Sequence, residues 1–172
     1  MKDTILGAAI EVLAIDGLNN WTVEEVANRS HCAKGLVNYH YRSKRELLGL
    51  VAETLRDDRA AHRLAAVQTP GTEALDRLWE VLVKEVESGW FAAWMSLLGA
   101  DDPLRKSASA RSADSTALAA ALARALGAEE ALTDLAPLIE AALDGLELRL
   151  LQGADAAETE EAYHRFWVGA LA

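Results

Sequence analysis

Apolar positions recur at steps of three and four residues along most of this chain, and strict strand-like alternation is absent. Residues 4–15 place Ile5, Leu6, Ala9, Ile10 and Leu13 on one helical face, and Asp16-Gly17 ends that helix with a glycine suited to a left-handed cap. Asn19-Asn20 is expected to turn the chain. Thr22 and Glu25 then form a T-x-x-E capping box, with Trp21 and Val26 at the flanking staple positions. Val23, Val26 and Ala27 are expected to face inward. Arg29–Cys32 interrupts the pattern, which resumes over Ala33–Tyr41 with Leu36 and Val37 apolar. Ser43 and Glu46 make a second capping box, opening a helix whose apolar face is Leu47, Leu48, Val51 and Leu55. Of the alternating pair Tyr39 and Tyr41, periodicity assigns Tyr41 to the core.

Farther along, Leu75, Leu78, Trp79, Leu82, Val83, Val86, Trp90 and Trp94 line up as one buried helix face over residues 72–98. Asp101–Pro103 breaks that pattern. Lys106–Thr116 is Ser/Ala-rich and weakly patterned, expected as a loop running into a helix that ends near Leu126-Gly127. Residues 129–151 carry the next apolar stripe, in which Pro137 either kinks the helix or marks its start. Gly153–Asp155 separates it from a last helix bearing Tyr163, Phe166, Trp167 and Ala170. The predicted class is all-α. Short helices joined by a tight turn over residues 22–48 make a helix-turn-helix arrangement.

Charge divides the chain. The formal net charge is −10, but residues 1–59 hold 8 basic and 9 acidic side chains, against 9 and 18 in the remainder. Between Arg29 and Arg45 stand Arg29, Lys34, Arg42, Lys44 and Arg45 with no Asp or Glu, so this window is where a phosphate backbone would be attracted. Cys32 is the only cysteine, which excludes an intramolecular disulfide or a cysteine-based zinc site, and the four histidines lack metal-ligand spacing. No paired acid and base, nucleophile triad or phosphate loop points to catalysis, and no cofactor is implied. No apolar run reaches membrane-span length and no signal peptide opens the chain, so a cytoplasmic protein without membrane contact is expected.

The segment GLVNYHYRSKRELL closely resembles the end of the DNA-binding domain of TetR-family transcriptional repressors, whose pattern runs roughly K-G-x-x-Y-x-H-F-x-S-K-x-x-L. T-V-E-E-V-A-N-R is similar to that family's preceding helix, and the resemblance covers about residues 4–55. It implies a DNA-binding domain at 1–48 and a helical ligand-binding and dimerisation domain at 49–172. It also implies that Ala33–Tyr39 is a recognition helix in the major groove, with Lys34, Gly35, Leu36, Asn38 and Tyr39 toward DNA. Asn38 would pair bidentately with adenine. Tyr39, His40, Lys44 and Thr22 match positions that contact phosphate or sugar. Three positions depart from the pattern: Ala33 replaces a common Ser or Thr cap, Asn38 a common tyrosine, and His31 a common turn glycine. Only Met1, Lys2 and Asp3 precede the first helix, so no basic arm is expected.

In the resembled family the last two helices pair with their copy in a four-helix interface. Here that implies a homodimer through Leu143, Leu146, Leu150, Phe166, Trp167 and Ala170, on a double-stranded, pseudo-palindromic operator. Independently, two Leu-rich helices with a terminal Phe and Trp offer more apolar area than one such chain covers alone. The middle helices are expected to enclose a small, largely apolar effector, with Trp79, Trp90, Phe91, Trp94 and Met95 as lining residues. An aromatic stripe at helical spacing also fits an ordinary core. Asp144 and Glu147, carboxylates on a largely apolar helix, could meet a cation, but surface or interface placement is the main expectation. The functional expectation is a ligand-responsive regulator, most simply a repressor released by its effector. The alternatives left open are an activator and a DNA-binding factor that senses nothing.

Overall fold

The structure, a computed structural model, describes residues 1–109 and 114–172. Among the described residues it consists of helices and connecting turns, as the sequence predicts. In chain order these are α1 (Lys2–Asn20), α2 (Val23–Arg29), α3 (Lys34–His40), α4 (Lys44–Ala66), α5 (Glu73–Glu87), α6 (Trp90–Leu98), α7 (Asp102–Ser109), α8 (Asp114–Leu126), α9 (Glu129–Leu132), a 3₁₀ turn (Thr133–Leu135), α10 (Ala136–Leu151) and α11 (Ala156–Ala170). They group into two compact units, Met1–Asp57 with Ser88–Ala110, and Asp58–Glu87 with Arg111–Ala172. The change of unit after Asp57 falls inside α4, past the 48/49 boundary expected from the sequence, and the first unit also takes in residues from Ser88 onward.

In the first unit both capping boxes form. Thr22 Oγ1 accepts from Glu25 N at 3.1 Å and Ser43 Oγ from Glu46 N at 3.1 Å, fixing where α2 and α4 start. Gly17 (φ 73°) kinks α1 where the sequence predicts its end, and helix continues to Asn20, expected in a turn. Ala33 is the N-cap of α3 and, having no side-chain oxygen, leaves that helix without a cap bond. His31 takes φ +52° in the α2–α3 turn, the left-handed region in which a glycine costs least. The core joins Ile5, Ala9 and Leu13 of α1, Val26 of α2, Val37 of α3, and Leu47, Val51 and Leu55 of α4. Tyr41 is buried as expected, and its hydroxyl donates to Lys2 O at 2.9 Å.

The stripe over 72–98 is not one helix. Gly89 adopts φ +78° and divides it into α5, in the second unit, and α6, which packs along α1 in the first. A Cβ at Gly89 would stand 2.6 Å from the Ala14 carbonyl oxygen, so both backbone geometry and contact require glycine there. Residues 102–109, partly expected as loop, are helical; the rest of that expected loop, 110–113, lies outside the described residues. Pro137 marks a helix start, being in the first turn of α10.

The second unit packs α10 against α5, α8 and α11. Trp79, Tyr163 and Trp167 form an aromatic centre, with Tyr163 5.2 Å from Trp79 and 6.0 Å from Trp167 between ring centroids. The Tyr163 hydroxyl donates to Leu75 O at 2.7 Å, and burial pushes its pKa up. Beside this apolar core lies a buried charge cluster that the sequence did not disclose. Arg59 Nε donates to Glu85 Oε2 (2.9 Å) and Arg59 Nη2 to Glu147 Oε2 (2.8 Å), while Arg63 Nη2 reaches Glu147 Oε2 (2.5 Å) and Glu85 Oε2 (3.2 Å). Asp144, partly exposed, approaches both guanidinium groups at 3.2 and 3.4 Å. Asp144 and Glu147 therefore do not decorate a surface; they bind α10 to α4, and Glu147 is fully buried.

Burial makes ionisation of these carboxyls costly, and the two arginines oppose that cost. Burial, with the Glu85 carboxyl beside it, raises Glu147 to about 8 against the pull of both arginines. Glu85 moves down, because Arg63, Glu147 and Arg59 together outweigh its own burial. Arg63 is also raised: burial opposes its charge, but Glu147, Glu85 and Asp144 overcome it.

A carboxyl raised from 4.5 to about 8 favours the folded state fully below its unfolded value and loses that contribution as pH rises through about 8. The thermal midpoint of the native protein should therefore fall between neutral pH and pH near 9, and Glu147→Gln, which is neutral throughout, should flatten that fall; parallel profiles would contradict it. In the first unit, Ala33→Ser should restore the α3 cap and add about 1 kcal/mol to unfolding free energy, as read by denaturant titration. An unchanged midpoint would mean that α3 gains nothing from a cap.

Candidate nucleic-acid interface

α3 is held at both ends by backbone that the sequence specifies. At its start Cys32 N donates to Ala27 O at 3.0 Å, and Ser30 Oγ donates to Val26 O at 2.7 Å, closing the turn from α2. At its end Tyr41 N donates to Val37 O at 2.9 Å, and the buried Tyr41 ring leads the chain into α4. Val37 is the residue of α3 that is fully buried. With Val37 inward, the helix turns Lys34, Gly35, Asn38 and Tyr39 to solvent, while Leu36 and His40 are half-buried. Tyr39 is 81% exposed, uncommon for a tyrosine in a helix, and its ring stands edge-on to His40 at 5.3 Å.

A Cβ at Gly35 would meet nothing within 4 Å, so no contact inside the protein demands glycine there. Glycine in a helix costs roughly 1 kcal/mol relative to alanine, and close approach of an outside backbone is the remaining physical reason for it. Thr22 is exposed but spends its hydroxyl oxygen on capping α2. The Lys44 ammonium donates to Trp21 O at 2.7 Å and lies 5.3 Å from the Trp21 ring centroid. Lys34 Nζ is 3.4 Å from Glu24 Oε2, and both side chains are well exposed. Arg29 is paired more loosely with Asp16 and Glu25 at 3.6 and 3.8 Å. The eight residues singled out for DNA thus all belong to the first unit, and its exposed members carry donors, acceptors and positive charge.

The residues expected around an effector divide between the two units. Trp79 is core of the second unit; Trp90, Phe91, Trp94 and Met95 belong to the first. Phe91 is fully buried with its ring centroid 5.9 Å from that of Trp94, and Trp94 donates from Nε1 to Ala108 O at 3.1 Å, joining α6 to α7. A cleft of about 140 Å³ in the second unit is lined by Val67, Gln68, Pro70, Ala121, Arg124 and Ala125 instead. That is below the roughly 300–1,000 Å³ of sites for drug-sized ligands.

The six residues expected at a dimer interface all lie in the second unit. Leu143, Leu146 and Trp167 are buried inside the second unit, and Leu150, Phe166 and Ala170 pack against the same core. Because α10 is apolar around most of its circumference, periodicity did not reveal which face turns inward. The outward face carries Leu138 (53% exposed), Ala141, Gly145 and Leu148, at steps of three and four, and α11 adds Val168 (72% exposed) beside Gly169.

Residues 5–51 match the family described as "Bacterial regulatory proteins, tetR family". No curated protein matches the chain. Among solved structures, a transcriptional regulator from Rhodococcus sp. Rha1 is 26% identical, with 99% of this chain and 95% of that one covered and a TM-score of 0.72. A Rhodococcus sp. protein described as a TetR-family transcriptional regulator is 19% identical over 99% and 98% of the two chains, with a TM-score of 0.78. The multidrug binding protein EbrR, complexed with ethidium, is 22% identical over 95% and 96%, with a TM-score of 0.67. Residues 5–51 therefore match the tetR-family amino-terminal domain, and the chain as a whole shares its fold with these solved transcriptional regulators.

Proposed function

We propose that this protein is a homodimeric regulator that binds operator DNA through α3 and acts as a repressor released by a small, largely apolar effector. The observation that carries the DNA-binding part is the outer face of α3. Lys34, Gly35, Asn38 and Tyr39 face solvent while Val37 anchors the opposite side. On this reading Asn38 pairs with an adenine edge in the major groove, and Leu36 contacts a thymine methyl. Thr22, Lys34, Tyr39, His40 and Lys44 hold phosphate and sugar.

Self-association is supported by the exposed apolar row on α10 and α11. A Cβ added at Gly145 or Gly169 would have no neighbour within 4 Å, and Leu138, Leu148 and Val168 flank these two positions. Small residues between exposed leucines suit close packing of a second copy's helices, and a dimer would present two recognition helices to a pseudo-palindrome. An effector reading draws support from EbrR, whose complex with ethidium shares this fold. An effector can release DNA only by favouring an arrangement that DNA does not.

Asn38→Ala and Tyr39→Ala should each weaken DNA binding at least tenfold while leaving circular dichroism and thermal midpoint near native values, since both side chains face solvent. Unchanged DNA affinity would remove α3 from the interface. Leu148→Glu combined with Val168→Glu should convert a dimer to a folded monomer in sedimentation equilibrium. Retention of the dimer would assign self-association to another face.

A further inference from the structure

Arg45 stands in a place where local physics disfavours a cation. α4 begins at Lys44 after its Ser43 cap, so Lys44 and Arg45 are its first two residues, where unsatisfied amides present partial positive charge. Acidic residues are favoured there, and the one present, Glu46, is engaged by Arg42 N at 3.0 Å. The Lys44 ammonium is occupied at the Trp21 carbonyl. Arg45 reaches instead to the turn between α6 and α7, where Nη2 donates to Asp101 Oδ2 at 2.7 Å. Both side chains are more than half exposed, at 59% and 57%. Asp101 is itself fixed in position, its Oδ1 accepting from Leu104 N at the head of α7 at 3.4 Å.

A solvent-exposed ion pair of this kind has little net stability and is readily exchanged. Resting on the DNA-binding reading above, we propose that Arg45 is a further phosphate-binding residue of the interface, and that Asp101 substitutes for the phosphate in free protein and so lowers DNA affinity. A phosphate offers the guanidinium the same two-point acceptor geometry as a carboxylate. It also lies at a helix start, where an anion offsets the cost of two adjacent cations. The α6–α7 turn, which belongs to the same compact unit, thereby acts on DNA binding through a single side chain.

The test is a double-mutant cycle on the full chain, measuring binding to a mixed-sequence DNA duplex over a series of potassium chloride concentrations. Arg45→Ala should reduce the slope of log affinity against log salt by about one and weaken binding at low salt about tenfold. Asp101→Asn should tighten binding roughly three- to tenfold in the native background and leave it unchanged in the Arg45→Ala background. Equal tightening in both backgrounds would mean that Asp101 only repels DNA, and an unchanged salt slope in Arg45→Ala would remove Arg45 from the interface; either result overturns the proposal. Circular dichroism checks the fold, and Arg45→Gln takes the place of Arg45→Ala if the alanine variant unfolds. If the native protein itself leaves the duplex unbound, the DNA-binding reading fails first and this proposal with it.

Discussion

The first unit depends on Trp21. Its indole is fully buried and donates from Nε1 to Ala9 O at 2.8 Å, while its own carbonyl accepts the Lys44 ammonium at 2.7 Å. One residue thus ties the middle of α1, the start of α2 and the start of α4. A buried indole N–H without an acceptor would carry the full cost of its desolvation, so the Ala9 carbonyl fixes the ring's depth as well as its orientation. α3 is strung between α2 and α4, and its short length gives it little stability of its own. Its placement is therefore inherited from Trp21, from the α2–α3 turn and from Tyr41, which reaches Lys2 O. The exposed row of Lys34, Asn38 and Tyr39 is the outward consequence of that inward arrangement.

The second unit is ordered by a different means. Its aromatic and aliphatic core is adaptable, whereas Arg59, Arg63, Glu85 and Glu147 fit together in few ways, because Oε2 of each glutamate is shared by both guanidinium groups. The cluster ties α4, α5 and α10 to one another. By drawing Leu143, Leu146 and Glu147 inward, it also decides which face of α10 is left outside. That outer face, with Leu138, Gly145 and Leu148, is a consequence of that packing and not a separate design.

The sequence was most legible where local chemistry fixes local structure. Thr22 and Ser43 announced two helix starts, Gly17 an interruption and Pro137 a beginning, and each of these depends on residues within one turn of one another. The inward placement of Tyr41 followed from alternation with Tyr39. Legibility failed where a residue's role depends on distant partners. Ser88-Gly89 was a visible break signal inside the apolar stripe, but its force comes from the Ala14 carbonyl, far away in the chain. Glu147, a carboxylate on a largely apolar helix, was expected at the surface or an interface; the arginines that pair it lie on α4. Of the aromatic residues expected around an effector, Trp79 and Phe91 are buried and Trp90 and Trp94 partly buried. Helical spacing identifies an apolar face without saying whether it closes on protein or on a ligand. On α10, apolar residues on both faces left the choice of interface undetermined.

On the proposed function, an acidic protein with one locally basic face recognises DNA as a dimer. Selection from a randomised pool of duplex DNA at several salt concentrations, followed by sequencing of the retained fragments, reads that proposition without intermediaries. A pseudo-palindrome should be enriched, with half-sites about one helical turn apart or slightly more, and affinity should fall steeply as salt rises. Retention without enrichment, or no retention even at low salt, would contradict dimeric recognition of an operator.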